Sequence, residues 1–106
     1  MSADLRKVAG KLIKLASFSP KDIKATLNHA SRRLIAVLSE IALNAKEGIF
    51  QVSNKVKHSK IVKILSDKTR KLKEKKTILR TIAAPIIVRL LLNACITVLQ
   101  SLCKNV

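Results

Sequence analysis

The helical character of this chain is clearest in residues 19–48, which read SPKDIKATLNHASRRLIAVLSEIALNAKEG. Apolar side chains recur in this stretch at intervals of three and four residues, the spacing of one face of an α-helix. Ser19 suits the N-cap position, Pro20 the first helical position, and Gly48 the left-handed residue that follows many helices. We therefore predict one long amphipathic helix over residues 20–48.

A second amphipathic pattern lies at the start of the chain. In residues 1–17 the apolar positions share one helical face, and Arg6, Lys7, Lys11 and Lys14 fill the other. We predict a basic amphipathic helix here. Because these cations interrupt the apolar run that a secretory signal peptide needs, we expect an intracellular protein that is not secreted.

Positive charge is concentrated in the middle of the chain. Residues 55–80 carry eleven Lys and Arg against two acidic residues, so they hold +9 of the total charge of +16. Apolar residues still recur there at helical spacing, which predicts a Lys-rich helical segment over residues 53–81. We expect one broken helix or two short ones, interrupted at residues 66–67, and a packed connector at residues 49–52 before them.

The most apolar segment, residues 82–103, is predicted to form the last helix. Its centre contains Arg89, which would cost a membrane-spanning helix about 2.5–3.5 kcal/mol. The polar residues recur every three or four positions and form one narrow stripe: Arg89, Asn93, Thr97, Gln100 and Lys104. We therefore expect this helix to pack inside the molecule, on a neighbouring subunit, or at a membrane edge.

These patterns predict a single domain, residues 1–106, with an all-α fold. We expect a small bundle of about four or five amphipathic helices that ends in an apolar C-terminal helix. A core of this size is marginal, and the net charge of +16 adds self-repulsion. We therefore expect a partner, such as a second copy of the chain, bound through the apolar C-terminal helix.

The residue types that enzymes and metal sites need are sparse. His29 and His58 lie far apart, and neither has a second His or a Cys at metal-ligand spacing. Neither a Gly-rich phosphate loop nor a nucleophile motif is present. Cys95 and Cys103 would stand about 12 Å apart along one helix, too far for a mutual disulfide, so we expect buried thiols. We expect no enzymatic activity, no cofactor and no metal.

The basic segment suits contact with double-stranded nucleic acid. A protein that neutralises several phosphates releases condensed counterions whatever the base sequence, and Lys favours such contacts over reading of guanine. Stacking on single-stranded bases is excluded, because only Phe18 and Phe50 are aromatic. The candidate nucleic-acid-binding residues are Lys55, Lys57, Lys60, Lys63, Lys68, Arg70, Lys71, Lys73, Lys75, Lys76 and Arg80. The secondary basic face is Arg6, Lys7, Lys11 and Lys14.

Two other function classes use the same features. Basic amphipathic helices with an apolar C-terminal helix bind or disrupt anionic membranes, although this chain lacks the Trp and Tyr that anchor at headgroups. Membrane contact is therefore the second choice. A purely structural helical subunit would use its charge for solubility and dock its apolar face on another protein.

The order of short motifs resembles a known viral family. The motifs are Ser39–Asn44 before Gly48, Val52-Ser53, Lys57-His58, Ile64–Lys68, Leu72–Leu79 and a Pro-containing apolar tail. Over about residues 20–102 this order resembles the X-like proteins of adintoviruses and polinton-type elements, which are considered similar to the adenovirus core protein X, the precursor of mu. The resemblance implies a virion core protein that helps condense double-stranded viral DNA, located in the virion core or the host nucleus. It also makes a capsid or core protein an alternative partner for the apolar C-terminal helix.

Overall fold

A computed structural model describes the backbone of residues 3–81 and 85–104 and the side chains of residues 6–79 and 85–101. Within the described backbone there are eight α-helices and no strand, which confirms the all-α prediction. The helices are shorter and more numerous than the four or five expected. They are α1 (Ala3–Ala16), α2 (Pro20–Asn28), α3 (Arg32–Lys46), α4 (Asn54–Lys57), α5 (Lys60–Leu65), α6 (Leu72–Thr81), α7 (Pro85–Ala94) and α8 (Ile96–Lys104).

The prediction of one continuous helix over residues 20–48 is wrong, because a second helix start lies within it. Ser19 caps α2 as predicted, and its hydroxyl accepts a hydrogen bond from the backbone N–H of Asp22 at 3.2 Å. Ser31 does the same for α3, accepting from the N–H of Leu34 at 3.1 Å. The apolar pattern runs on across the break because α2 and α3 both bury their apolar faces in one core.

The end of α3 follows the sequence prediction. Gly48 has a φ of +79°, its N–H donates to the carbonyl of Ala45, and the N–H of Ile49 donates to the carbonyl of Asn44. This pair of bonds is the Schellman motif, which satisfies the last carbonyls of a helix. In the connector that follows, Phe50 and Val52 pack against the core as expected, whereas Ile49 is 65% exposed.

The Lys-rich segment contains three helices, one more than expected. Ser53 and Ser59 cap α4 and α5 through their hydroxyls, which accept from backbone N–H groups three residues on. The predicted interruption at residues 66–67 is confirmed. Asp67 Oδ1 accepts from the backbone N–H of Thr69 at 2.9 Å and from its hydroxyl at 2.6 Å, which fixes the turn between α5 and α6.

The C-terminal segment is two helices, separated at Cys95, rather than one. Leu91, Leu92 and Leu99 are fully buried, so this segment packs inside the molecule, the first of the three expected placements. The polar stripe faces solvent from Arg89 to Gln100, while the side chain of Lys104 lies outside the described residues. No helix among the described residues is long and apolar enough to cross a membrane.

The core is assembled around α3, which packs against α1, α5, α6 and α7, while α1 packs mainly on α8 and α7. The thiol of Cys95 lies in this core as expected, and burial raises its pKa to about 11. It is therefore a protonated, unreactive group at neutral pH. The side chain of Cys103 lies outside the described residues.

Gly48 offers a direct test of the α3 terminus. We expect Gly48→Ala to lower the free energy of unfolding by about 1–2 kcal/mol, because a Cβ is unfavourable in the left-handed region. The space around it is open, so the cost comes from the backbone alone. Gly10→Ala, inside α1, is the control and should raise stability by about 0.5–1 kcal/mol. Urea denaturation measures both, and a stabilising Gly48→Ala would contradict the assignment.

Candidate nucleic-acid interface

Six of the eleven candidate basic residues lie on α4, α5 and α6 with exposed or half-buried side chains, and Lys68, Arg70 and Lys71 lie in the turn between α5 and α6. Their helices bury Val56, Ile61 and Leu65, and the intervening cations therefore point outward. Two of the candidates, Lys57 and Lys76, are half-buried. The exposed ones are Lys55, Lys60, Lys63, Lys68, Arg70, Lys71 and Lys73. The side chain of Arg80 lies outside the described residues.

Lys75 does not belong to this surface, and the prediction that it contacts phosphate is wrong. Its side chain is only 5% exposed. Nζ donates to the backbone carbonyl of Leu65 at 2.7 Å and to Ser39 Oγ at 3.3 Å. A phosphate outside the protein cannot reach this ammonium group without displacing α6.

The bonds of Lys75 join three helices. Leu65 is the last residue of α5, where carbonyls have no partner within the helix. Ser39 lies on α3, and its hydroxyl donates onward to the carbonyl of Ile35 at 2.8 Å. Burial lowers the pKa of Lys75, and the negative charge of Asp67 partly opposes this shift. Lys75 therefore fixes α6 against α5 and α3.

One group of cations surrounds an open depression of about 560 Å³ between the end of α3 and the turn after α5. Lys46, Lys63 and Lys68 line it, together with the carboxylates of Glu47 and Asp67. The charge of this depression is therefore mixed.

Asp67 also partly neutralises the charge that Arg70 would present to a phosphate. Hydrogen bonds from the Thr69 hydroxyl and N–H, with a smaller contribution from the Arg70 charge, lower the pKa of Asp67. Its carboxylate is therefore ionised at neutral pH and lies 3.3 Å from Nε of Arg70. Arg70 is 41% exposed, so this ion pair adds little stability, but it makes Arg70 a weaker candidate for phosphate contact.

A second group of cations lies in the groove between α3 and α6. Arg32 from the first turn of α3 lines it together with Lys73 and Lys76 from α6, above the apolar side chains of Ile35 and Leu72. The groove has a volume of about 290 Å³, and none of the described residues that line it is acidic.

Arg32 was not among the candidate residues. The signal that could have found it is the sequence Ser31-Arg32-Arg33, because a helix cap at Ser31 places both arginines in an exposed first turn. Only the pairing of α3 with α6, however, brings Arg32 next to the lysines of α6.

The secondary basic face is exposed, as expected, but it belongs to another part of the bundle. Arg6, Lys7, Lys11 and Lys14 point outward from α1. Among the described residues α1 packs mainly on α8 and α7 and makes no extensive contact with α4, α5 or α6, so the two sets of cations lie on helices that are not paired with each other.

In the described part of the chain, no three His, Cys, Asp or Glu residues come close enough to hold a metal ion. No protein-family model matches the chain, and comparisons with curated proteins and with solved structures also found no match.

The buried ammonium of Lys75 can be tested by substitution. We expect Lys75→Met to lower the free energy of unfolding by about 1–3 kcal/mol at neutral pH, because the Leu65 carbonyl loses its donor inside the protein. Lys73→Met, on the exposed side of the same helix, is the control and should stay within about 0.5 kcal/mol of wild type. Denaturant unfolding gives both values.

The same variant has a pH signature. Burial lowers the pKa of Lys75 in the folded protein below its ordinary 10.5, so the folded chain holds this proton less tightly than the unfolded chain. Wild type should therefore gain stability relative to Lys75→Met as the pH rises toward about 10.5. A stability difference that shrinks over this range would contradict the burial of a charged Lys75.

Proposed function

We propose that this protein binds nucleic acid, with double-stranded DNA favoured, through phosphate contacts that do not depend on base sequence, and that it compacts the bound DNA. The observation that carries the proposal is the outward-facing set of seven exposed and two half-buried cations between Lys55 and Lys76. The lysines of this set bind phosphate as charges on flexible stems, and together they release counterions from the duplex.

Solubility alone does not account for this charge. A net charge of about 2–8 keeps a small domain soluble, whereas this chain carries +16. Self-repulsion of that size destabilises a compact fold. A polyanionic partner removes the repulsion, which supports a role in binding for the excess charge.

Compaction requires each molecule to hold two lengths of backbone at once. The exposed cations of α4–α6 provide one basic surface, and the exposed face of α1, which makes no extensive contact with α4, α5 or α6, provides another. When one surface has bound DNA, a second DNA segment of the same molecule is held near the other surface, which raises its effective concentration there. This arrangement supports bridging between duplexes or between distant parts of one duplex.

We further propose that the DNA is viral and that the protein is a core component of a virion, acting there or in the host nucleus. The support for this step is the resemblance of residues 20–102 to the X-like proteins, whose implied role agrees with the charge distribution.

Phosphate contact predicts a steep dependence of affinity on salt. If about six to ten phosphates are engaged, affinity for a random-sequence duplex should fall by roughly 10³–10⁵ between about 50 and 200 mM salt. Replacing Lys60, Lys63 and Lys71 together with Gln should flatten the logarithmic salt slope by about one for each phosphate that is no longer neutralised, equally for different sequences. Fluorescence anisotropy across a salt series measures both.

Lys24→Gln on α2 is the control for this experiment, because it removes one exposed charge from a helix outside both proposed basic surfaces. Circular dichroism first establishes that the variant is folded at the assay temperature. Its salt slope should equal that of wild type. A wild-type affinity that is weak and insensitive to salt would refute the proposed function.

Membrane binding is the second candidate function, and one observation on α7 favours it. Ile86 and Leu90, one helical turn apart, are 60% and 42% exposed, and Arg89 is exposed beside them. Aliphatic side chains flanked by basic ones are typical of surfaces that bind anionic membranes.

Dye release from vesicles that contain anionic phospholipid separates the two functions. Membrane activity predicts release by wild type that is lost when Ile86 and Leu90 are both replaced with Ser, because the inserted apolar area is removed. Ile49→Ser, which changes an equally exposed residue of the connector, should leave release unchanged. Vesicles that stay intact beside salt-dependent DNA binding would argue against membrane activity.

A further inference from the structure

The groove between α3 and α6 differs from the rest of the basic surface in how its cations are arranged. Lys73 and Lys76 are three residues apart on α6 and share one helical face. Arg32 reaches the same groove from α3. Three basic residues from two helices therefore line one volume of about 290 Å³ with no acidic residue among them, whereas the depression beside α5 also contains Glu47 and Asp67.

The floor of the groove is apolar. Of its two apolar lining residues, Leu72 is half-buried and has surface that a ligand can contact, whereas Ile35 is almost fully buried. One unit of a nucleic-acid strand has matching chemistry, because its phosphodiester is anionic and the adjoining sugar presents carbon atoms. The guanidinium of Arg32 supplies a planar pair of donors that fits two phosphate oxygens, which lysine does not.

The positions of the two helices are held independently of any ligand. Ser31 caps α3 and sets the first turn that carries Arg32. The ammonium of Lys75 fixes α6 against α3 through Ser39, one helical turn beyond Ile35. A groove whose walls are already in place loses little conformational entropy on binding.

We propose, on the basis of the nucleic-acid binding proposed above, that this groove is a binding site for one backbone phosphodiester of a nucleic-acid strand. In this site, called the seat below, Arg32 makes a bidentate hydrogen bond to the phosphate. Lys73 and Lys76 flank the phosphate, and Leu72 contacts the sugar. The rest of the basic surface contributes charge without fixed geometry.

The experiment compares Arg32 with its neighbour Arg33, which is also exposed but does not line the groove. Affinity for a random-sequence duplex and its salt slope are measured for wild type, Arg32→Gln, Arg32→Lys and Arg33→Gln. We expect Arg32→Gln to weaken binding about tenfold or more and to flatten the slope by about 0.9, the value of one phosphate contact. Arg32→Lys should keep the slope but lose part of the affinity, since it retains the charge without the paired donors.

Arg33→Gln removes the same charge and should change both quantities much less. Equal losses in Arg32→Gln and Arg33→Gln, with wild-type binding intact, would overturn the seat while leaving the proposed function standing. A wild type without salt-dependent affinity would remove the proposed function, and the seat with it.

The second part of the experiment measures binding of the same variants to vesicles of phosphatidylglycerol, which present the same phosphodiester group on a lipid headgroup. If Arg32→Gln abolishes vesicle binding but leaves DNA affinity unchanged, the seat takes lipid and the proposal is wrong. Loss of DNA affinity, with vesicle binding equal in Arg32→Gln and Arg33→Gln, supports a nucleic-acid strand as the occupant.

Discussion

Serine hydroxyls that accept hydrogen bonds from backbone N–H groups determine how this chain divides into helices. Four helices, α2 to α5, begin directly after such a serine: Ser19, Ser31, Ser53 and Ser59. Each cap stabilises its helix start by about 1 kcal/mol, which a short helix needs because nucleation is unfavourable. A chain made of short capped helices can change direction at each connection between them. Each short helix can therefore turn its apolar face toward the core and leave its charged face outside. This matters in a chain in which 26% of the residues are charged.

Lys75 differs from the other cations because its side chain is buried. Its hydrogen bonds explain how the basic helix α6 is positioned. A buried ammonium is unfavourable unless it is well hydrogen-bonded, and here a carbonyl at the end of α5 and a hydroxyl of α3 satisfy two of its three donors. The bonds are directional, whereas apolar contacts alone would allow α6 to slide or rotate. The orientation of Lys73 and Lys76 toward α3 depends on this constraint.

Signals carried by a few neighbouring residues predicted the local structure well. The cap at Ser19, the stop at Gly48 and the break at residues 66–67 are all set by chemistry within four or five positions. The cap at Ser31 was missed because the apolar periodicity continues through it. Lys75 and Arg32 could not be assigned from sequence, since the burial of one and the placement of the other depend on which helices pack together, and nothing in a Lys-rich run marks one lysine as buried.

The electrostatics of the fold connect stability with binding. Exposed cations on α1 and α4–α6 repel one another in the free protein, and the small core must offset that repulsion. A bound polyanion replaces repulsion by attraction, so any ligand that contacts the folded surface more favourably than the unfolded chain also stabilises the fold. The unfolded chain carries the same number of charges. What distinguishes the folded state is geometry: the groove between α3 and α6 exists only when both helices are in place. The phosphate site proposed for this groove therefore predicts that binding favours the native structure over a nonspecific complex with unfolded basic chain.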